Sequence, residues 1–124
     1  MICHFIFYVS DQQKSTHFFS EVLQQPPMLN VPGMTEFKLT DGCILGLMPS
    51  KGIVKLLGDS IHDPESAAGI PRAELYLRVS DPESSFRQAL KSGAKMLSPV
   101  QVRNWGARAG YFADPDGHVI AFSN

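Results

Sequence analysis

One short pattern occurs twice in this chain, and it limits the architecture more than any other feature. Val9-Ser10-Asp11 closes a strand-like run and opens a helix-like one, and Val79-Ser80-Asp81 does the same seventy residues later. Asp41-Gly42 and Asp116-Gly117 each precede the last strand-like run of their half. Identity between the halves is low, so the repeat is one of structure. Two copies of one small module are the arrangement it predicts.

The first module, about 1–49, reads βαβββ. Ile2–Val9 is a strand, too apolar for clean alternation, which predicts cover on both faces. Ser10 with Gln13 makes a capping-box pattern, and Asp11 is a rival cap. The helix runs to about Leu23, with Phe18, Phe19, Val22 and Leu23 on one face. Pro26-Pro27 ends it. Strands follow at Met28–Val31, Thr35–Leu39 and Cys43–Met48, with turns at Pro32-Gly33 and Asp41-Gly42.

Residues 50–71 read as a linker, with a strand extension at Ile53–Leu57. A connection this long can also cover a site. The second module, about 72–124, starts with Leu75, Leu77 and Val79 alternating with Glu74, Tyr76 and Arg78. Ser80 with Glu83 forms a capping box, or Asp81 caps with Pro82 at the first helical position. The helix carries Phe86 and Leu90 and stops at Ser92-Gly93. Lys95–Val102 is a strand, and two more flank the turn Asp114-Pro115-Asp116-Gly117.

A net charge of −1 gives no electrostatic basis for binding nucleic acid or an acidic membrane. No apolar run reaches the length of a membrane span. The N-terminus enters a strand with no basic signal-type region, so cytoplasmic residence is expected. Cys3 and Cys43 then read as small buried hydrophobes rather than a disulfide or a metal pair.

The C-terminal order Trp105-Gly106-x-Arg108-x-Gly110-Tyr111-Phe112-x-Asp114-Pro115-Asp116-Gly117-His118 resembles the second-module ending of the vicinal oxygen chelate superfamily. That superfamily holds glyoxalase I, bleomycin-resistance proteins, fosfomycin-resistance enzymes and extradiol dioxygenases. The resemblance covers essentially the whole chain and implies an α+β fold, in which two βαβββ modules form an open, barrel-like mixed sheet around a cleft. It also implies a homodimer.

In the superfamily, metal ligands come from the start of each first strand and the middle of each last strand. A divalent ion held there acts as a Lewis acid on neighbouring substrate oxygens. Carried over, the first-strand positions fall on His4 and Glu74, which are both ligand types. The last-strand positions fall on Gly46 and Ala121, which cannot bind a metal. No metal or other cofactor is therefore expected.

Three readings follow. The cleft binds a small organic molecule without metal, as bleomycin-resistance proteins do. Alternatively, His4 and Glu74 form a metal-free acid–base pair in a lyase, isomerase or dioxygenase relative, with Glu74 raised in pKa by burial. In the third, a partner chain or the substrate completes a metal site. The plainer reading makes His4 a structural histidine bonded to Glu74. Trp105 is a stacking surface for a planar ligand or a core anchor. Arg108 meets an anionic ligand group or pairs with Asp114 or Asp116. Met48 and Tyr111 are candidate wall residues. His118 reads as turn packing, and His17 and His62 as solvent-facing.

Overall fold

The computed structural model describes residues 1–124, which divide into two compact units, 1–68 and 69–124. Unit 1 contains β1 (Cys3–Val9), α1 (Gln12–Leu23), β2 (Leu29–Val31), β3 (Met34–Thr40), β4 (Cys43–Pro49) and α2 (Ser50–Leu57), then two 3₁₀ turns. Unit 2 contains β5 (Glu74–Arg78), α3 (Pro82–Lys91), β6 (Lys95–Val102), β7 (Arg108–Ala113) and β8 (Val119–Ser123). Each unit is a βαβββ module followed or preceded by connecting chain. The architecture is α+β, with two four-stranded mixed sheets ordered β1-β4-β3-β2 and β5-β8-β7-β6. Neither sheet closes into a barrel, since each keeps two edge strands.

The repeat extends to the pairing. In each unit the first strand lies parallel to the last, and the other pairs are antiparallel. A parallel neighbour needs a crossover, which the helix supplies.

Aspartate rather than serine caps both module helices. Asp11 accepts from the Lys14 amide at 3.0 Å, and Asp81 from the Ser84 amide at 3.0 Å. A carboxylate at this position also meets the positive end of the helix dipole, which favours it over a hydroxyl. Phe18, Phe19 and Val22 of α1 are buried against the sheet, with Phe19 tilted against Phe7 and Phe37. Full burial of each such ring is worth about 1.5–3 kcal/mol. In unit 2, Phe86 of α3 packs edge-on against Phe112 of β7.

Three expectations are corrected. β1 is covered on one face only: Phe7 and Val9 are buried towards α1, while Ile6 and Tyr8 are each 39% exposed. The stretch at Ile53–Leu57 belongs to α2, because Ile53 and Leu57 fall one helical turn apart and Ile53 is buried. Cys3 is exposed and Cys43 half-buried, so neither is a core hydrophobe; both are free thiols.

Candidate functional site

Each sheet has one face towards its helix and one open face, and strand alternation assigns the side chains to them. The open face of unit 1 carries His4, Ile6 and Tyr8 from β1, Ile44, Gly46 and Met48 from β4, and Met34 and Glu36 from β3. The register that aligns them pairs Ile6 with Gly46 and Gly46 with Glu36. His4 Nδ1 lies 3.4 Å from Glu36 Oε1. Within unit 1 the partner of His4 is thus Glu36, while Glu74 belongs to unit 2. No motif singles out Glu36. Its signal was the alternation of β3, where Thr35 and Phe37 are buried and Glu36 must therefore face the other way.

Gly46 offers no donor, and apolar neighbours crowd the space above it. A Cβ built there would lie 3.0 Å from Ile6 Cγ1 and 3.3 Å from Met34 Sδ. Met48 is half-buried beside α2, its Cε 3.2 Å from where a Cβ on Gly52 would stand.

The open face of unit 2 carries Glu74, Tyr76 and Arg78 from β5, Ala121 and Ser123 from β8, and Tyr111 from β7. Ala121 is fully buried and stands in register between Tyr76 and Tyr111. The Tyr76 hydroxyl donates to Ser123 Oγ at 2.7 Å, and the Trp105 indole N–H donates to Tyr76 Oη at 3.4 Å. Those two bonds, Ser123 first, hold the Tyr76 phenol below its ordinary pKa. Tyr111 is pushed above the ordinary value, chiefly by burial and then by the charge of Glu74. The Arg103 guanidinium lies 5.1 Å from the Tyr111 ring centre and is fixed there by Ser98 Oγ and the carbonyls of Pro99 and Ala109.

Several placements differ from expectation. Glu74 is exposed, not buried as expected. Trp105 is 57% exposed and is no core anchor. Arg108 lies on the helix side of β7 and pairs with Glu83 of α3, not with Asp114 or Asp116. The cation set against Tyr111 is Arg103, which had no signal in the sequence because a loop return places it. Tyr76 did have one, since it shares the parity of Glu74. His17 is exposed on α1, where it lines an open groove of about 660 Å³ with Gln13, Thr16 and Asn30.

One group of three ligand-type side chains comes together, Asp114, Asp116 and His118, with ligand atoms within 4.8 Å of one another. It is organised by the turn. Asp114 Oδ1 accepts from the amides of Asp116 and His118, and Asp114 Oδ2 lies 2.8 Å from His118 Nδ1. The buried Asp114 carboxylate thus has both oxygens engaged.

A family model described as "Glyoxalase-like domain" matches residues 2–124. A glyoxalase-related enzyme from Fulvimarina pelagi has a similar fold, with a TM-score of 0.83 at 19% identity over 99% of this chain and 86% of that one. A glyoxalase/bleomycin resistance protein/dioxygenase family enzyme from Burkholderia phytofirmans gives a TM-score of 0.82 at 13% identity, over 98% and 95%. An uncharacterized protein of Mycobacterium bovis is 27% identical over 114 residues, which are 89% of this chain and 74% of that protein. No helix is long and apolar enough to cross a membrane.

Proposed function

Because the chain belongs to the glyoxalase-like domain family, we propose that it binds a small organic molecule on its open sheet faces, without a full divalent-metal site. The observation that carries this is the chemistry at Gly46 and Ala121. Gly46 is overhung by Ile6 and Met34, and Ala121 lies between two tyrosines. Donors are thus replaced by apolar and aromatic groups, which suit an organic ligand better than an ion. On the open faces His4 and Glu36 supply two donors in unit 1 and Glu74 one in unit 2, fewer on either face than a divalent site uses. Tyr111, Tyr76 and the exposed indole of Trp105 offer flat surfaces to a planar group. The homodimer implied by the superfamily resemblance belongs to the same proposal, and sedimentation equilibrium tests it.

Trp105 is the only tryptophan, which makes its emission a direct probe. Titration with a panel of planar aromatic acids and phenols should give saturable quenching that persists in a strong chelator. One metal ion per chain, with ligand binding lost on its removal, would overturn the reading.

The contact between His4 and Glu36 favours a second reading, a lyase, isomerase or dioxygenase relative that uses His4 and Glu74. Glu36 would then orient the His4 imidazole for proton transfer. It requires a substrate whose turnover falls steeply in His4→Ala while Trp105 quenching is retained.

A further inference from the structure

Cys3 and Cys43 are direct register partners on the parallel strands β1 and β4. We propose that they form an oxidant-sensitive dithiol, closing to an intrachain disulfide. Register partners project from the same face of a sheet, and neighbouring strands run about 4.8 Å apart. That spacing falls within the Cα separation a disulfide spans, roughly 4.4–6.8 Å. The Cβ atoms must lean together by about an ångström from the strand spacing to the usual disulfide value. Both residues can do so, since each is the first of its strand, where the chain is least constrained. The Cys3 amide donates to the Gly42 carbonyl at 2.9 Å, which holds the two strand starts in step. Cys3 is exposed and Cys43 half-buried, so an oxidant reaches the first and the second is adjacent to resolve it.

With a peroxide as oxidant the chemistry balances. The Cys3 thiolate attacks one oxygen of hydrogen peroxide, the O–O bond breaks, and a sulfenic acid forms while the hydroxide leaves as water after taking a proton. The Cys43 thiolate then attacks the sulfenic sulfur, the S–O bond breaks, and the hydroxide leaves as a second water after taking a proton. Two thiols lose two electrons in total, and the peroxide gains them. A thiol reductant reverses the result by exchange. The bond would tie β1 to β4 one residue from His4, and so links the redox state to the open face of unit 1.

The test is peroxide titration of the reduced full chain, followed by thiol alkylation and non-reducing peptide mapping. The expected result is a fall from two alkylatable thiols to none, loss of the mass of two hydrogens, and one Cys3–Cys43 cross-linked peptide on a monomer. Dithiothreitol should restore both thiols. Cys3→Ser and Cys43→Ser should each keep one thiol that ends as a sulfenic or sulfinic acid or in an interchain dimer. Oxidation of the wild type to interchain dimers, or to separate sulfinic acids at the two positions, would overturn the proposal.

Discussion

His4 and Glu36 meet at 3.4 Å although their strands, β1 and β3, are not neighbours. β4 runs between them, and its residue in register with Glu36 is Gly46. A Cβ there would meet Ile6 and Met34 first. The glycine at an expected ligand position therefore coincides with a carboxylate supplied from the next strand. The imidazole is half-exposed and the carboxylate 19% exposed, so solvent screens the pair in part.

A double-mutant cycle measures what this contact is worth. His4→Ala, Glu36→Gln and the double variant should give a coupling energy of about 0.2–1 kcal/mol in urea unfolding, the range of partly exposed ion pairs. Zero coupling would mean that the two side chains are merely close.

The Arg108–Glu83 pair gives a pH signature. Glu83 is held below its ordinary value of 4.5, first by the hydrogen bond from Arg108. A carboxylate depressed in the folded state stabilises above its unfolded pKa, and that stability is lost as pH falls through the folded value. Glu83→Gln should therefore lower Tm at neutral pH, and the difference from wild type should vanish under acid conditions below the ordinary carboxylate range. A Tm difference that persists in acid would assign the effect to packing instead.

The two open-face tyrosines of unit 2 should titrate apart. Tyr76 is lowered by Ser123 and Trp105, and Tyr111 is raised chiefly by burial. Ultraviolet difference spectra should show the first phenolate forming below the ordinary range and another above it. Ser123→Ala should move the early phase upward and leave the late one in place. A single merged transition in the wild type would contradict the bonded arrangement.

Much of the fold was legible because its signals are local. The repeat, the proline and glycine stops and the alternation of Leu75 and Leu77 each report on a few consecutive residues. The capping contest between Ser10 and Asp11 was open in sequence, and the amide of Lys14 decided it. The site was less legible because register makes it. Nothing in the order of residues sets Glu36 opposite Gly46 or Tyr111 beside Ala121. Both follow from how antiparallel strands align. Arg103 was invisible for the same reason, since it acts through the carbonyls of Pro99 and Ala109 after the chain turns back. Arg108 misled because nearness in sequence to Asp114 favoured a local partner, while its position on β7 turned it towards α3.

Gly110 should not accept a side chain without cost. It lies on the helix side of β7, one residue before Tyr111, and it is buried. A Cβ there would stand 2.7 Å from Val100 Cγ2 and 2.9 Å from Phe86 Cδ2. Its absence lets the Phe86 ring settle onto the strand and meet Phe112 edge-on, at a centroid distance of 6.2 Å. Because Phe86 is itself 5% exposed, it has little room to retreat. Gly110→Ala should therefore destabilise by about 1–3 kcal/mol, the cost of overpacking a filled core. At roughly 4 °C per kcal/mol for a domain of this size, thermal unfolding should show the loss clearly. Val100→Ala in the same chain removes one of the two opposing groups. The double variant should then lose less stability than the two single losses added together, since the clash is shared. Strict additivity would show that Val100 does not press on this position and that Phe86 alone sets the limit.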